Sequence, residues 1–177
     1  SSFELLGASL NSAPIDAVEQ MALSAQEIRG LYGKLNKIVG LESAFVLSTC
    51  NRTEIYLSGS VNRSLISRVW ESVGELIGAK RVPSSENRYG FSGREGIEHL
   101  YRVSCGLDSL ILGEAQILGQ VKSAYDESKA YFHSTYFDKI VQGAFRVAGR
   151  SRSETEIGAG AVSTASAGVH LAGRVFS

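Results

Sequence analysis

Cysteines and long apolar runs are both scarce in this chain. It has 2 cysteines in 177 residues, and Cys50 and Cys105 suit neither a disulfide framework, which needs more cysteines, nor a zinc site, which needs closely spaced pairs. Uninterrupted apolar runs reach about four residues, against the roughly 20 that span a bilayer, and the N-terminus lacks the pattern of a secretory signal. We therefore expect reduced thiols, no metal, no membrane association and a cytoplasmic location.

Net charge is likewise absent, since 18 Lys and Arg residues balance 18 Asp and Glu residues. A broad footprint on nucleic-acid phosphates needs an excess of positive charge, so any contact with RNA has to be local. The best candidates are Arg146, Arg150 and Arg152, because residues 146 and 150 share one face of a predicted helix. A solvated helix end explains the same residues equally well.

Hydrophobic residues make up 44% of the chain and charged residues 20%, which indicates one globular core. Apolar runs predict four strands, at 3–8, 43–49, 54–58 and 88–91. An amphipathic helix follows the first strand, where Ser24 and Glu27 form a capping box, and another follows the third strand, from Leu65 to Ile77. The order βαββαβ is that of a ferredoxin-like sandwich, an α+β fold.

Beyond the fourth strand the apolar residues follow helical spacing. A second capping box, Ser92 with Glu95, opens a helix that Gly106 closes. Further helices are predicted at 117–125, 136–145 and 161–176, the last of them rich in small residues. The sandwich is therefore followed by a helical subdomain.

One thiol stands between two of the predicted strands. Ala44–Leu47 is a short apolar run typical of a buried strand, and the sequence turns polar directly after it. Cys50 therefore lies at a strand end, where reactive side chains are often carried. A nucleophilic thiolate needs positive charge or hydrogen-bond donors nearby, which Arg52, Thr49 and Asn51 supply. A structural thiol beside a turn is the alternative.

Three other residues have candidate roles: His99, Glu54 and Cys105. His99 lies off the apolar stripe of its predicted helix, and an imidazole there can tune the thiol or protonate a leaving hydroxyl group. Glu54 can pair with Arg52 or orient the turn. Cys105 adjoins the glycine that closes the helix, and we interpret it as a buried small residue.

Three sequence blocks carry a family resemblance. They are Ser48–Tyr56, Gly106–Lys122, and Ser153–Ile157 followed by Gly160–Ser163. In this order they resemble the motifs of the glutamyl-tRNA reductase family, which opens the five-carbon route to 5-aminolevulinate and tetrapyrroles, including porphyrins. The resemblance implies that Cys50 attacks the ester of glutamyl-tRNA to give a glutamyl thioester, which NADPH reduces to glutamate 1-semialdehyde.

The resemblance also implies the site residues, with Cys50 and His99 as catalytic groups. The implied substrate-binding positions are Thr49, Asn51, Arg52, Ser109, Glu114, Ala115, Gln116 and Gln120. Because glutamate carries a carboxylate and an ammonium group, we expect Arg52 to bind the first and Glu114 the second. Gln116 and Gln120 lie one helical turn apart, so both amides can face the same pocket.

The resemblance further implies how the chain is divided. Residues 1–105 are the α/β catalytic subdomain, 106–157 the helical part of the catalytic domain, and 158–177 the start of a long connecting helix. Gly158-Ala159-Gly160 does not make a dinucleotide fingerprint, because no strand precedes it and the third glycine is absent. We therefore expect NADPH to bind a domain downstream of this chain, where the dimerisation domain of a homodimer also belongs.

The implied partners are glutamyl-tRNA and the next enzyme of the pathway, an aminomutase. The location is the cytoplasm, or the plastid stroma for a plant source whose transit peptide has been removed. Two other functions fit the same residues: a stand-alone cysteine esterase or thioesterase, and a non-catalytic ferredoxin-like module that binds RNA or protein. By itself the chain is expected to transfer or hydrolyse acyl groups without using NADPH.

Overall fold

The computed structural model describes residues 1–108 and 116–156. Its strands are β1 (Ser2–Ser9), β2 (Leu41–Ser48), β3 (Arg52–Gly59) and β4 (Tyr89–Ser92). In the same two ranges the α-helices are α1 (Ile15–Met21), α2 (Ala25–Leu35), α3 (Arg63–Ile77), α4 (Arg94–Ser104), α5 (Ile117–Ser128) and α6 (Thr135–Glu156). None of these described helices combines the length and apolarity needed to cross a bilayer. The predicted helix at 161–176 lies outside the described residues.

The strands form one sheet in the order β2-β3-β1-β4, and every pairing is antiparallel. β1 is central, so that Ser9 lies opposite Arg52 and Gly7 opposite Glu54 of β3. The four predicted strands are confirmed, although β2 and β3 each begin two residues earlier than predicted. The fold is therefore a mixture of α-helices with a four-stranded antiparallel sheet.

Both faces of the sheet are covered by helices. On one face, Ala44 and Val46 of β2 pack with residues of α2 and α3. On the other face, Phe45 and Leu47 pack with residues of α4, α5 and α6. Successive side chains of a strand point to opposite faces, so a strand buried on both sides needs an uninterrupted apolar run. The later helices thus close the second face of the sheet, a placement that the sequence did not predict.

The connection between β1 and β2 differs from the prediction. The sequence predicts one helix there, whereas the structure has both α1 and α2. α1 follows Pro14 and buries Val18 and Met21, while its Ile15 is exposed. With only seven residues, α1 has too few apolar positions to show helical periodicity.

The two predicted capping boxes have different outcomes. The box at Ser24 of α2 is confirmed, but the box of Ser92 and Glu95 is wrong. α4 starts after Gly93, whose φ is 57°, and no side chain caps it. Ser92 instead donates from Oγ to Glu4 Oε2 at 2.7 Å, across the pair of strands β1 and β4. Ser92 therefore forms a hydrogen bond at the edge of the sheet and does not cap the helix.

Gly7 is expected to tolerate no side chain, because β3 passes very close to it. A Cβ atom at this position would lie 2.6 Å from the carbonyl oxygen of Thr53 and 2.9 Å from Cγ of Glu54. We expect Gly7→Ala to lower the free energy of unfolding by about 1–3 kcal/mol, since the backbone oxygen cannot turn aside. Urea unfolding measures this loss. Gly33→Ala in α2, where the added atom meets nothing within 4 Å, is the control and should be neutral or slightly stabilising.

Candidate active site

The connection between β2 and β3 consists of Thr49, Cys50 and Asn51. Thr49 N donates to the carbonyl oxygen of Arg52 at 2.8 Å, and Asn51 N donates to Thr49 Oγ1 at 3.2 Å. From the loop that follows β1, Leu10 N donates to the carbonyl oxygen of Asn51 at 3.1 Å. The Cys50 thiol is free and exposed. The predicted position of Cys50 at a strand end is confirmed, and the turn presents its sulfur to solvent on a backbone that is held from both sides.

The strand ends below this turn are also tied together. Ser48 Oγ and Thr53 Oγ1 share a hydrogen bond of 2.9 Å. The same Ser48 oxygen accepts from Leu23 N at 3.0 Å, which anchors the segment between α1 and α2 to the end of β2. These hydrogen bonds therefore fix the strand ends that the Cys50 turn connects.

Arg52 is buried, and both terminal nitrogens of its guanidinium group contact Asp108. Its side chain is 3% exposed. Nη1 lies 2.9 Å from Asp108 Oδ2, and Nη2 donates to the carbonyl oxygen of Asp108 at 2.8 Å. Burial would lower the pKa of Arg52, but Glu54 and Asp108 outweigh it and raise the pKa. The predicted role of Arg52 in binding a substrate carboxylate stays a prediction, since Asp108 already gives it a carboxylate.

Glu54 is the centre of a buried polar cluster. Oε1 accepts from the Tyr56 hydroxyl at 2.7 Å, and Oε2 accepts from the Tyr89 hydroxyl and lies 2.5 Å from His99 Nε2 and 3.5 Å from Arg52 Nη1. Burial would raise the pKa of this carboxyl group, but its contacts with His99 and Arg52 outweigh burial and lower the pKa to about 2. Glu54 is therefore an anion that both orients His99 and faces Arg52, and its predicted pairing with Arg52 is confirmed.

His99 reaches this carboxylate from α4. Its side chain is 11% exposed, and its ring stacks on Phe91 with centroids 5.1 Å apart and lies 5.6 Å from the ring of Tyr89. The sequence placed His99 off the apolar stripe of its helix, but aromatic residues of β4 and the buried Glu54 draw it into the protein. Its contacts therefore explain how the imidazole is held, while its action on Cys50 stays a prediction.

The buried carboxylate predicts a loss of stability in acid. Glu54 and Glu27 both have a pKa of about 2, below the usual 4.5, and that of Glu27 falls chiefly through its hydrogen bond with Arg81. A carboxyl group with a lowered pKa in the folded state stabilises fully above its unfolded pKa. We expect the free energy of unfolding to fall as the pH drops from about 4.5 toward about 2. Urea unfolding of the protein and of Glu54→Gln and Glu27→Gln across this range measures each share.

A cavity of about 540 Å³ borders the end of β2 on the side of α5. Ser48 lines it together with Gln116 and Gln120, so both glutamine residues border one cavity, and their role in binding substrate stays a prediction. A larger cavity, of about 850 Å³, lies between α3 and β4, and its lining does not include the Cys50 turn. The predicted positions Ser109, Glu114 and Ala115 lie outside the described residues.

Sequence reasoning missed four residues of this site: Asn11, Tyr56, Tyr89 and Asp108. Tyr56 had a detectable signal, because Arg52, Glu54 and Tyr56 alternate along β3 and share one face of the sheet. Asn11 donates from Nδ2 to the carbonyl oxygen of Asp108 at 3.0 Å, a contact between distant segments that no local pattern encodes. Tyr89 and Asp108 likewise meet the site only through tertiary packing.

The remaining predicted residues are the second cysteine and the arginines of α6. Cys105 is half-buried, and burial raises the pKa of its thiol to about 11, although Arg152 opposes the shift. Arg146 and Arg150 are exposed on α6, as a local RNA contact or a solvated face both require. Among the described residues, no group of three or more His, Cys, Asp or Glu side chains is placed to hold a metal ion.

Comparisons with known proteins agree on one family. The model for "Glutamyl-tRNAGlu reductase, N-terminal domain" matches residues 6–155. The glutamyl-tRNA reductases of Pseudoalteromonas translucida and Idiomarina loihiensis are 41% and 40% identical, each over 97% of this chain. The solved glutamyl-tRNA reductase from Methanopyrus kandleri is 31% identical, with a TM-score of 0.69 over 97% of this chain and 39% of its own. This chain spans 41% and 40% of the two bacterial proteins.

Proposed function

Because this chain belongs to the glutamyl-tRNA reductase family and matches the family's N-terminal domain, we propose that it takes the glutamyl group from glutamyl-tRNA onto Cys50. The observation that carries this proposal is the free, exposed thiol on a turn whose backbone is fixed from the loop after β1 and from β3. A sulfur nucleophile has to reach a bulky RNA substrate. An exposed turn meets that requirement, and a buried structural thiol would not.

The proposed step is a transfer of the acyl group from oxygen to sulfur. The Cys50 thiolate attacks the ester carbonyl carbon, the carbon–sulfur bond forms, and the bond from that carbon to the ribose oxygen breaks. The departing ribose oxygen takes up a proton. His99 is our candidate for supplying it or for controlling the thiol, since Glu54 holds its ring in one orientation.

We propose that the substrate-binding residues surround the turn. Thr49 and Asn51 belong to the turn, and Gln116 and Gln120 line the cavity beside the end of β2. Ser109, Glu114 and Ala115 are proposed on their motif positions alone, with Glu114 for the ammonium group of glutamate. Arg52 stays our proposal for the carboxylate, which requires the substrate to share the guanidinium group with Asp108.

The described residues do not fit NADPH. Dinucleotides bind at the carboxyl ends of parallel strands, beside a glycine-rich turn into a helix, whereas every strand pairing here is antiparallel. We propose that the complete protein reduces the glutamyl group with NADPH bound elsewhere, as the first step of tetrapyrrole biosynthesis. A homodimer and an aminomutase partner belong to the same proposal for the complete protein.

We also propose how the chain is divided. Residues 1–105 form a ferredoxin-like catalytic unit, for which the sheet order β2-β3-β1-β4 is the support. Residues 106–157 form the helical part of the catalytic domain, supported by the packing of α5 and α6 on the same core. Residues 158–177 begin the connecting helix.

Intact-mass measurement tests the proposed function directly. The chain is incubated with glutamyl-tRNA, without NADPH, and quenched in acid, which preserves a thioester. We expect a mass increase of one glutamyl group, located on Cys50 by peptide mapping. Aspartyl-tRNA is the matched control for the acyl group. The absence of any adduct after complete deacylation of the tRNA would favour an esterase, and the absence of both reactions would favour a binding module.

A further inference from the structure

We propose that Asp108 is a positioning residue for acyl transfer, because its contacts with Arg52 fix the end of α4 against the Cys50 turn. This inference rests on the proposed function of that turn. Asp108 lies on the short stretch that follows α4 and directly precedes Ser109 in the sequence. Its position therefore determines where the next segment of the chain begins relative to the thiol.

Arg52 is the first half of the connection. Its main-chain oxygen accepts from Thr49 N at 2.8 Å and closes the Cys50 turn. Its guanidinium group extends from the same residue to Asp108. One residue thus takes part in the turn through its backbone and in the contact with Asp108 through its side chain, so a movement of Asp108 is transmitted to the turn over a single side chain.

Asp108 is the second half, and it binds Arg52 through two of its own oxygens. Oδ2 lies 2.9 Å from Nη1, and the carbonyl oxygen lies 2.8 Å from Nη2. Two parallel contacts between a guanidinium group and one residue fix direction as well as distance. The main chain at Asp108 is therefore held in place, and not only its carboxylate.

The loop after β1 contacts both Asp108 and the Cys50 turn. Asn11 Nδ2 donates to the carbonyl oxygen of Asp108 at 3.0 Å and lies 3.4 Å from its Oδ2. The preceding residue, Leu10, donates from N to the carbonyl oxygen of Asn51 in the turn at 3.1 Å. Asp108 and the Cys50 turn are therefore linked twice, once through Arg52 and once through adjacent residues of this loop.

Burial makes the contact with Arg52 specific. The Arg52 side chain is 3% exposed and that of Asp108 is 26% exposed, so Asp108 covers the guanidinium group on its solvent side. Without this carboxylate, the nearest anion would be Glu54, whose Oε2 is 3.5 Å from Nη1 and also contacts His99. We expect the guanidinium group to turn toward Glu54 and the stretch at Asp108 to loosen. A misplacement of about 1 Å at a reacting group costs about 10²-fold in rate.

Single-turnover acyl transfer in the full-length reductase tests the inference. Asp108→Asn keeps the main-chain oxygen and an oxygen on the side chain but removes the charge. We expect transfer from saturating glutamyl-tRNA to Cys50 to slow by about 10- to 100-fold, with a smaller change in the tRNA concentration at half-maximal rate. Asn11→Ala should slow transfer less and in the same direction. The rate of Cys50 alkylation by iodoacetamide, followed by peptide mapping, should stay within about twofold in both variants.

The controls separate this role from folding and from the proposed function itself. Asp126→Asn, on the exposed face of α5, should transfer as fast as the wild type. Asp108→Glu retains the charge and should keep more activity than Asp108→Asn. If Asp108→Asn does not fold, Asn11→Ala carries the test. Transfer within twofold of the wild type in Asp108→Asn, or in Asn11→Ala where that variant carries the test, would overturn the inference, as would a parallel fall of transfer, alkylation and melting temperature. A wild-type protein that forms no thioester would instead overturn the proposed function.

Discussion

Cys50→Ser is expected to abolish formation of the acyl-enzyme, with a loss of at least about 10³-fold in single-turnover transfer from glutamyl-tRNA. A thiol ionises near neutral pH and is strongly nucleophilic, whereas a serine hydroxyl needs a general base within hydrogen-bond reach. A serine hydroxyl at position 50 would stay protonated at neutral pH and would attack the ester far more slowly than a thiolate. The measurement is the acid-stable adduct of one glutamyl group, resolved by intact mass.

Cys105→Ser is the matched control for the loss of a thiol. Cys105 is half-buried and its pKa is raised to about 11, so little of it is thiolate at neutral pH. Its replacement should leave acyl transfer within about twofold of the wild type. Adducts on both cysteines, or a Cys50→Ser protein that still accumulates a glutamyl adduct, would contradict the assignment of Cys50 as the nucleophile.

Glu54→Gln is expected to lower the free energy of unfolding by about 3–5 kcal/mol, because it removes one partner from a buried set of charges. Its carboxylate is fully buried and contacts Tyr56, Tyr89, His99 and Arg52. A neutral amide keeps the shape but leaves the Arg52 charge with Asp108 alone. Urea unfolding near neutral pH measures the loss, and acyl transfer should fall with it because His99 loses the anion that orients it.

The control for this charge is Glu75→Gln on the protein surface. Glu75 pairs with Lys34 at 3.0 Å, but both side chains are exposed, and such pairs contribute about 0–1 kcal/mol. An equal, small loss in both variants would show that the Glu54 cluster contributes no more than a surface ion pair. It would also remove the basis for assigning an orienting role to Glu54.

The strands and the Cys50 turn were predictable because their signals are local. Ala44–Leu47 is apolar at every position, as burial on both faces requires, and the polar residues after it mark the turn. The cluster around Glu54 was not predictable in the same way. Alternation along β3 places Arg52 and Glu54 on one face, and two charged residues usually indicate a face in water. α4 covers that face instead, and only tertiary packing supplies the phenolic and imidazole groups that compensate the charges.

The short helices show the same limit from another side. α1 offers few buried positions, and Ser92 bonds Glu4 across two strands and does not cap α4, so the local sequence pattern alone misleads about where each helix begins. The contact of Asn11 with Asp108 joins residues that lie 97 positions apart in the sequence. Such contacts depend on strand register, which a single sequence indicates only through its apolar pattern.

The connection that carries Cys50 can change its composition more freely than its length. Its three residues join strands whose pairing places Arg52, Glu54 and Tyr56 on one face and Thr53, Ile55 and Leu57 on the other. An added residue that shifted β3 by one position would exchange those two sets, turning the charges toward the aliphatic core and the aliphatic groups toward His99. Protein engineers who wish to alter the reactivity of the sulfur should therefore replace its neighbours and leave the loop as long as it is.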